Sequence, residues 1–481
     1  MPAAVLSDFG STVCKVTVVD LDEGVVLGHG EAPTFLGDDV MVGHDAAYGA
    51  ALAGLPGRPD VRVRLSSSSA GGGLRMGAVG LVEEMTAAAA RRAALNAGGR
   101  LELVLHGHLD EGDLVELDRV DPEIVLFGGG TDGGQRDLVL ANAHVLAAGG
   151  WSGQVVVACN REVAVEVAGI FRGSGRSVHV VDNVMPRIGT VEVDQARATI
   201  LEVFLAHVIG GKNLSDRREF LDAMVTATPE AALAATRLLA FGTERTPGVG
   251  HALVVDVGGA TTDIHSVSTT PPAMQGRRGP LLPLAAELRT VNGDLGMRSG
   301  ARGAVASDVA WLSRQTGLSP VEWAREGERR SADHSWIATD VDDVHREELL
   351  GTSCITHALT RHCGRQSWVY RRETTPTLTV TGPDLRDVAV MVGTGGVVVH
   401  HEKPTQIVEP ALSRAAQSCM SPESPTVVID HGYVLAAAGL LRHVDDDIAL
   451  RVLRTALGLA DHRAPHPTMS EGGTAAHLKE S

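Results

Sequence analysis

Asp8 and Asp256 head two stretches of the same design, DFGSTVCK at 8–15 and DVGGATTD at 256–263. Each has an aspartate at the end of an apolar run, a glycine two residues on, and small or hydroxyl residues through a tight turn. A backbone that turns through Gly, Ser and Thr points several N–H groups one way and makes a nest for an anion. An aspartate beside it can hold Mg²⁺ through water, because that ion keeps most of its hydration shell. Two such turns facing each other would grip the β- and γ-phosphates of a nucleotide from both sides. Gly10, Ser11, Thr12 and Lys15 belong to the first nest, and Gly258, Gly259, Thr261 and Thr262 to the second. Lys15 and Asp263 stand at matching places, seven residues after Asp8 and Asp256. One cation and one anion there predict unequal roles, charge neutralisation on one side and positioning of metal or water on the other. Asp8, Asp256 and Asp263 are therefore the candidate catalytic carboxylates, with Asp8 and Asp256 the candidate Mg²⁺ holders. A third stretch, VGTGGVVVH at 392–400, runs a strand into Gly393, Gly395 and Gly396, where a nucleoside can lie against bare backbone. ATP and Mg²⁺ are the expected cofactors.

The elements that must hold these turns follow from the pattern of apolar runs. Residues 4–32 read as a three-strand meander. From 121 to 190 the rhythm becomes strand, helix, strand, helix, strand, hence a parallel sheet covered by helices. Helices are expected from 194 to 241, a linker at GTERTPGVG, a second meander from His251, a Pro/Gly-rich loop at 270–283 and helices over much of 303–365. VAVMVGTGGVVVH reads as strand, glycine turn, strand, and TVVIDHGYVLAAAGLL as a closing strand and helix. The expected division is a first lobe over 1–60, an inserted α/β subdomain over 61–190, a helical segment completing that lobe over 191–245, a second lobe over 246–462 and a disordered tail over 463–481.

Composition excludes several classes. The 481 residues are 44% hydrophobic but only 3% aromatic, with a formal charge of −17 and no Lys/Arg run, a poor match for nucleic acid. Five cysteines without CxxC spacing predict free thiols rather than a disulfide framework or zinc ribbon. With no export signal and no membrane-length apolar run in the sequence, a cytoplasmic protein is expected. The sequence assigns no oligomeric state.

Phosphate turn, second phosphate turn and glycine loop, in that order, resemble the actin/Hsp70/sugar-kinase ATPase superfamily. SSSSAGGGLRMGAVGLVEEMTAAAARRAA, FGGGTDGG, DNVMP, DVGGATTDIHS, RTVNGDLGMRSGA, MVGTGGVVVH and DHGYVLAAAGLL narrow the resemblance to the accessory proteins of the glutamate (methylaspartate) mutase operon, of the GlmL or MutL type, over about residues 4–445. The resemblance implies an α/β, actin-like (ribonuclease H-like) fold with two lobes around a nucleotide cleft. It implies an ATPase that reactivates an adenosylcobalamin-dependent mutase, whose subunits would be its partners. By carry-over Asp8, Ser11, Thr12 and Lys15 match the first phosphate motif, Asp256, Gly258, Gly259, Thr261, Thr262 and Asp263 the second, and Gly393, Gly395 and Gly396 the adenosine motif. One departure is visible: the family's acidic residue before GDLGMR is Asn292 here, which passes any role of that carboxylate to Asp294.

Other features read more blandly. VNGDLGMRSG places Asp294 and Arg298 between glycines, either closing over the phosphates or forming a structural turn. GGGTDGG at 128–134 lacks dinucleotide spacing and reads as a partner or second-ligand surface, which makes the insert the expected partner-contacting region. In CITHALTRHC, His362 and Cys363 diverge by about 100° on a helix, against convergence on zinc. His106, His108, His400 and His401 are expected at strand ends in water. Two other functions use the same nucleotide site: an ATP-coupled hydantoinase/oxoprolinase-type amidohydrolase or small-molecule kinase, and a non-catalytic nucleotide-dependent scaffold.

Overall fold

The computed structural model describes residues 1–35, 39–69, 74–97, 99–210, 214–269, 286–334, 336–369 and 377–459. The loop expected at 270–283 and the tail at 463–481 lie outside the described residues.

Strands β1 (Pro2–Phe9), β2 (Val13–Asp20) and β3 (Val25–Pro33) form the first antiparallel meander, followed by helix α1 (Val40–Leu52). Strand β4 (Asp60–Ser68) then returns parallel to β1. The parallel insert begins only afterwards, with β5 (Arg75–Gly80), α2 (Ala88–Asn96), β6 (Arg100–His106), α3 (Glu111–Val120), β7 (Ile124–Gly129), α4 (Asp137–Ala147), β8 (Gln154–Cys159), α5 (Ala164–Gly173) and β9 (Val178–Val180). Its strand order is β6-β5-β7-β8-β9, a doubly wound sheet. The division expected at residue 61 is therefore corrected: β4 belongs to the first lobe, because its backbone pairs with β1 along its whole length.

Helices α6 (Asp194–Gly210) and α7 (Arg218–Ala223) lead back to a short strand, β10 (Met224–Ala227), and then α8 (Thr228–Phe241). The stretch read as wholly helical thus contains a strand, MVTA, whose pairing with β4 completes the sheet in the order β10-β4-β1-β2-β3.

The second lobe repeats this plan. It runs β11 (Ala252–Val257), β12 (Thr262–Val267), β13 (Glu287–Asn292), α9 (Ala301–Thr316), α10 (Pro320–Ala332), α11 (Val341–His362), β14 (Arg365–Val369), β15 (Thr377–Thr381), β16 (Val390–Thr394), α12 (Gly396–Val399), α13 (Thr405–Ala415), β17 (Thr426–Ile429), α14 (Val434–Leu441) and α15 (Asp446–Ala456). Its sheet order, β13-β12-β11-β16-β17, is the first lobe's order again. An antiparallel meander flanked by two parallel strands, made twice in one chain, is the actin-like, ribonuclease H-like fold. The β14–β15 hairpin had no signal in the apolar pattern, and VVVH after Gly395 is a helix turn rather than a strand. There the amides of Val398 and Val399 donate to the Gly395 carbonyl at 3.0 and 2.9 Å.

Two helices cross between the lobes. From the first lobe, α8 packs Leu233 and Leu239 on Val254 and Val392 of the second sheet; from the second, α14 packs Leu440 and Leu441 on Ala4 and Leu6 of the first. They touch at Gly439, where a Cβ would lie 2.0 Å from the Ala231 carbonyl oxygen. No helix among the described residues is long and apolar enough to cross a membrane.

Candidate functional site

The two aspartate turns are built alike at the level of register. Asp8 pairs with Lys15 across β1–β2 and Asp256 with Asp263 across β11–β12, so residues 10–13 and 258–261 occupy equivalent turns. In the first, a Cβ on Gly10 would sit 2.5 Å from the Val13 carbonyl oxygen, so a side chain there would force the turn open. Ser11 and Thr12 are exposed at its tip. In the second, the Gly258 amide donates to the Thr261 carbonyl at 2.9 Å. The amides of Ser11, Thr12, Gly259 and Ala260 donate to no described residue.

Asp8 is 8% exposed and tied to three elements. It accepts hydrogen bonds from Ser67 Oγ at 3.2 Å, at the end of β4, and from Thr228 Oγ1, at the start of α8, and Lys15 Nζ lies 3.9 Å away. Lys15 also reaches the other lobe, with its ammonium 4.1 Å from the centre of the Tyr433 ring. Tyr433 precedes α14 in a left-handed conformation, φ +48°, and its hydroxyl bonds His400 Nε2 at 3.1 Å. Beside it Asp430 is buried and caps α14, accepting from the amides of Val434 and Leu435 at 2.7 and 3.1 Å.

These residues of both lobes share one electrostatic site. Burial pushes the Asp256 carboxyl up to about 6; Lys15 opposes the shift, and Asp263, Asp8 and Asp430 add to it. Burial likewise raises Asp430, against the two amides that it caps. Asp8, Asp256 and Asp430 around Lys15, with Asp263 paired to Arg289, leave an excess of negative charge that a divalent cation would neutralise, so the donor set fits Mg²⁺. Among the described residues no three His, Cys, Asp or Glu side chains converge to hold an ion directly, and a hydrated ion is the form that suits Asp8 and Asp256.

Asp263 is 8% exposed and, where Lys15 faces Asp8 of its own hairpin, takes its ion-pair partner from the next strand, β13. Its Oδ2 accepts from Arg289 Nη2 at 2.7 Å, while its Oδ1 has no hydrogen-bond partner among the described residues. Thr262 is buried and donates to the Leu295 carbonyl at 2.8 Å; it supports the turn from below.

The loop after Asn292 is a buttress in this structure. Amides of Met297 and Arg298 donate to the carbonyls of Gly258 and Gly259 at 3.0 and 2.7 Å, and a Cβ on Gly300 would lie 2.3 Å from the Ala260 oxygen. Arg298 pairs with Glu347 at 2.9 Å, and Asp294 is held by both guanidinium nitrogens of Arg361 at 2.6 and 2.8 Å. Both side chains are thus engaged in ion pairs within the second lobe. Asn292 donates to the Thr262 carbonyl at 3.0 Å and accepts from Arg361 at 3.3 Å.

The three glycines of the third motif separate by cause. Gly395, φ +90°, lies where a Cβ would be 2.3 Å from the Val257 oxygen, so β11 itself requires it. Gly393 is packed, with methyls of Ile429 and Val398 at 3.1 Å from its Cβ position. Gly396 has open space, nothing nearer than His400 at 4.0 Å. His400 and His401 end no strand: they close α12, where His400 is exposed and His401 Nε2 lies 2.9 Å from Glu348. In α11 His357 turns to Asp308 at 3.4 Å and His362 to Ser266 and Thr290 at 2.8 and 2.9 Å.

Ser67, Thr228, Asp430, Tyr433 and Arg289 went unnoticed in the sequence. Asp430 carried a signal, an acid between a strand and an apolar helix, three residues before the N-cap, Tyr433. The others are brought in by tertiary packing.

A family model described as MutL protein matches residues 4–457. Protein MutL of Clostridium tetanomorphum is 36% identical over 462 residues, 94% of this chain and 99% of that one. Among solved structures, a glycerol dehydratase reactivase aligns at 13% identity over 92% of this chain and 99% of that chain, with a TM-score of 0.35. A nucleotide-free acetone carboxylase aligns at 12% identity over 91% and 69%, with a TM-score of 0.37. At these scores neither structure carries an argument about function.

Proposed function

The chain belongs to the MutL protein family, and on that premise we propose that it is an ATP-dependent accessory protein that reactivates an adenosylcobalamin-dependent glutamate (methylaspartate) mutase. The observation that carries the nucleotide half of this reading is the charge that the two hairpins share: Lys15 sits between Asp8, 3.9 Å away in the first lobe, and the Tyr433 ring, 4.1 Å away in the second, and Lys15, Asp263, Asp8 and Asp430 all act on Asp256.

Ser11 and Thr12 in one turn, and Gly258, Gly259 and Thr261 in the other, would present amides and hydroxyls to the β- and γ-phosphates. Asp8 and Asp256 would hold Mg²⁺ through water, and the ion would supply charge neutralisation there. Lys15 would leave the Tyr433 ring for phosphate oxygen, and Gly396 is the open backbone for the nucleoside. Asp263 would orient the attacking water. Closure of the lobes on one nucleotide, with α8 and α14 sliding at the Ala231–Gly439 contact, supplies motion. That motion would open the mutase so that damaged cobalamin exchanges for intact cofactor.

The test is recovery of activity. A cobalamin-inactivated mutase is given fresh adenosylcobalamin, Mg²⁺ and this protein, with ATP or a non-hydrolysable analogue, as wild type and Asp256→Ala. The expected result is recovery with ATP and wild type alone. ATP consumption without recovery would sink the reactivase reading in favour of an acceptor-directed enzyme, and tight binding without turnover would favour a scaffold.

A further inference from the structure

Arg289, on β13, is 3% exposed and joins parts of the chain that are far apart in sequence. Its Nη2 donates to Asp263 Oδ2 at 2.7 Å, and Asp263 is the register partner of Asp256 in the second phosphate hairpin. Its Nη1 donates to the carbonyls of Leu95 at 2.9 Å and Gly99 at 3.5 Å, at the C-terminal end of α2 in the insert. The negative end of that helix is therefore closed by the same guanidinium that neutralises the hairpin's aspartate.

The junction around it is polar and incompletely paired. Asp263 Oδ1, Arg289 Nε, Asn96 Oδ1, Arg92 Nε and Glu230 Oε2 are all buried without a hydrogen-bond partner among the described residues. Arg92 and Asn96 come from α2, Glu230 from α8. Burial pushes Glu230 up to about 7, against the attraction of Arg197. Buried polar groups without partners are costly, and they regain partners from water when a junction opens.

We propose that Arg289 is the positioning residue that couples the second phosphate hairpin to the inserted subdomain: positive charge arriving beside Asp263 competes for its carboxylate, and Arg289 loosens its hold on the end of α2. This rests on the nucleotide reading of the site and adds the route by which the insert senses it. A tie with no such role would leave α2 indifferent to nucleotide.

Hydrogen exchange of the α2 amides in the full chain, with and without Mg·ATP, tests it, with binding read separately by a fluorescent ATP analogue. In wild type, Mg·ATP should speed exchange in α2 by at least about fivefold, the low end of allosteric couplings. In Arg289→Gln, exchange should be fast in both states while the analogue still binds. Arg289→Lys keeps the charge without the fork and should retain a reduced response. Nucleotide binding with an unresponsive α2 in wild type, or a full response in Arg289→Gln, overturns the coupling alone. Should Arg289→Gln fail to fold, an undiminished response in Arg289→Lys overturns it instead. Absence of analogue binding to the folded wild type overturns the nucleotide reading, and this inference with it.

Discussion

Burial, more than any neighbouring charge, raises the Asp256 carboxyl, and the sign of that shift has consequences. Its folded pKa, about 6, lies above the ordinary carboxylate value, so the ionised form is disfavoured in the fold. The cost is absent below the unfolded pKa, grows as pH rises towards about 6 and is complete above it. On the proposed reading, binding of Mg·ATP would run the other way, since it would need the carboxylate. Affinity should fall by about tenfold per pH unit below that midpoint, where the group is mostly protonated. A titration from pH 5 to 8 checks it, and Asp256→Asn should flatten the profile and reduce turnover by roughly 10²-fold or more. Lys15 is the neighbour that holds Asp256 down, so Lys15→Met should move the midpoint upward. An unmoved midpoint would mean that the two hairpins do not share charge.

The pair α8 and α14 is the element on which the proposed lobe movement would turn. Gly439 faces the Ala231 carbonyl at a distance no side chain tolerates, 2.0 Å from a Cβ position. Gly439→Ala should destabilise the protein by about 1–3 kcal/mol through forced separation of the helices, read as a lower denaturation midpoint. Gly49 in α1 has nothing within 4 Å of its Cβ position, and Gly49→Ala is the control expected to stabilise or do nothing. At the same scale, the 293–300 loop is legible as glycine-rich in sequence, but its reason is not. Gly296 and Gly300 are there because the loop lies against the 259–260 backbone, where a Cβ would come within 2.6 Å.

Across the whole molecule, the insert and the first lobe share one core. Phe9, Val40 and Met41 of the lobe pack in one continuous cluster with Met76, Ala90 and Leu126 of the insert and Ile200 and Phe204 of α6. Excision of 74–193 would expose that cluster, so the shortened chain should aggregate or lose its cooperative transition in thermal denaturation. A soluble, cooperatively folding product would show that the lobe stands without the insert. Partner contacts are better mapped by exposed substitutions on the insert, such as Val165 and Ile188, 77% and 75% exposed.

The sequence by itself determined the repeated hairpin, the order of the motifs, the parallel character of the insert and the resemblance to a family, because each rests on local spacing and turn chemistry. It placed Asp8, Lys15, Asp256 and Asp263 at equivalent register positions for the same reason. Only the tertiary structure decided what those side chains meet. That Asp8 is held by Ser67 and Thr228, that Lys15 rests on Tyr433, and that Asp263 answers to Arg289 depends on chain crossings between elements up to several hundred residues apart. The boundary at β4 and the strand at β10 were hidden likewise: a strand is stabilised by partners its own sequence does not contain.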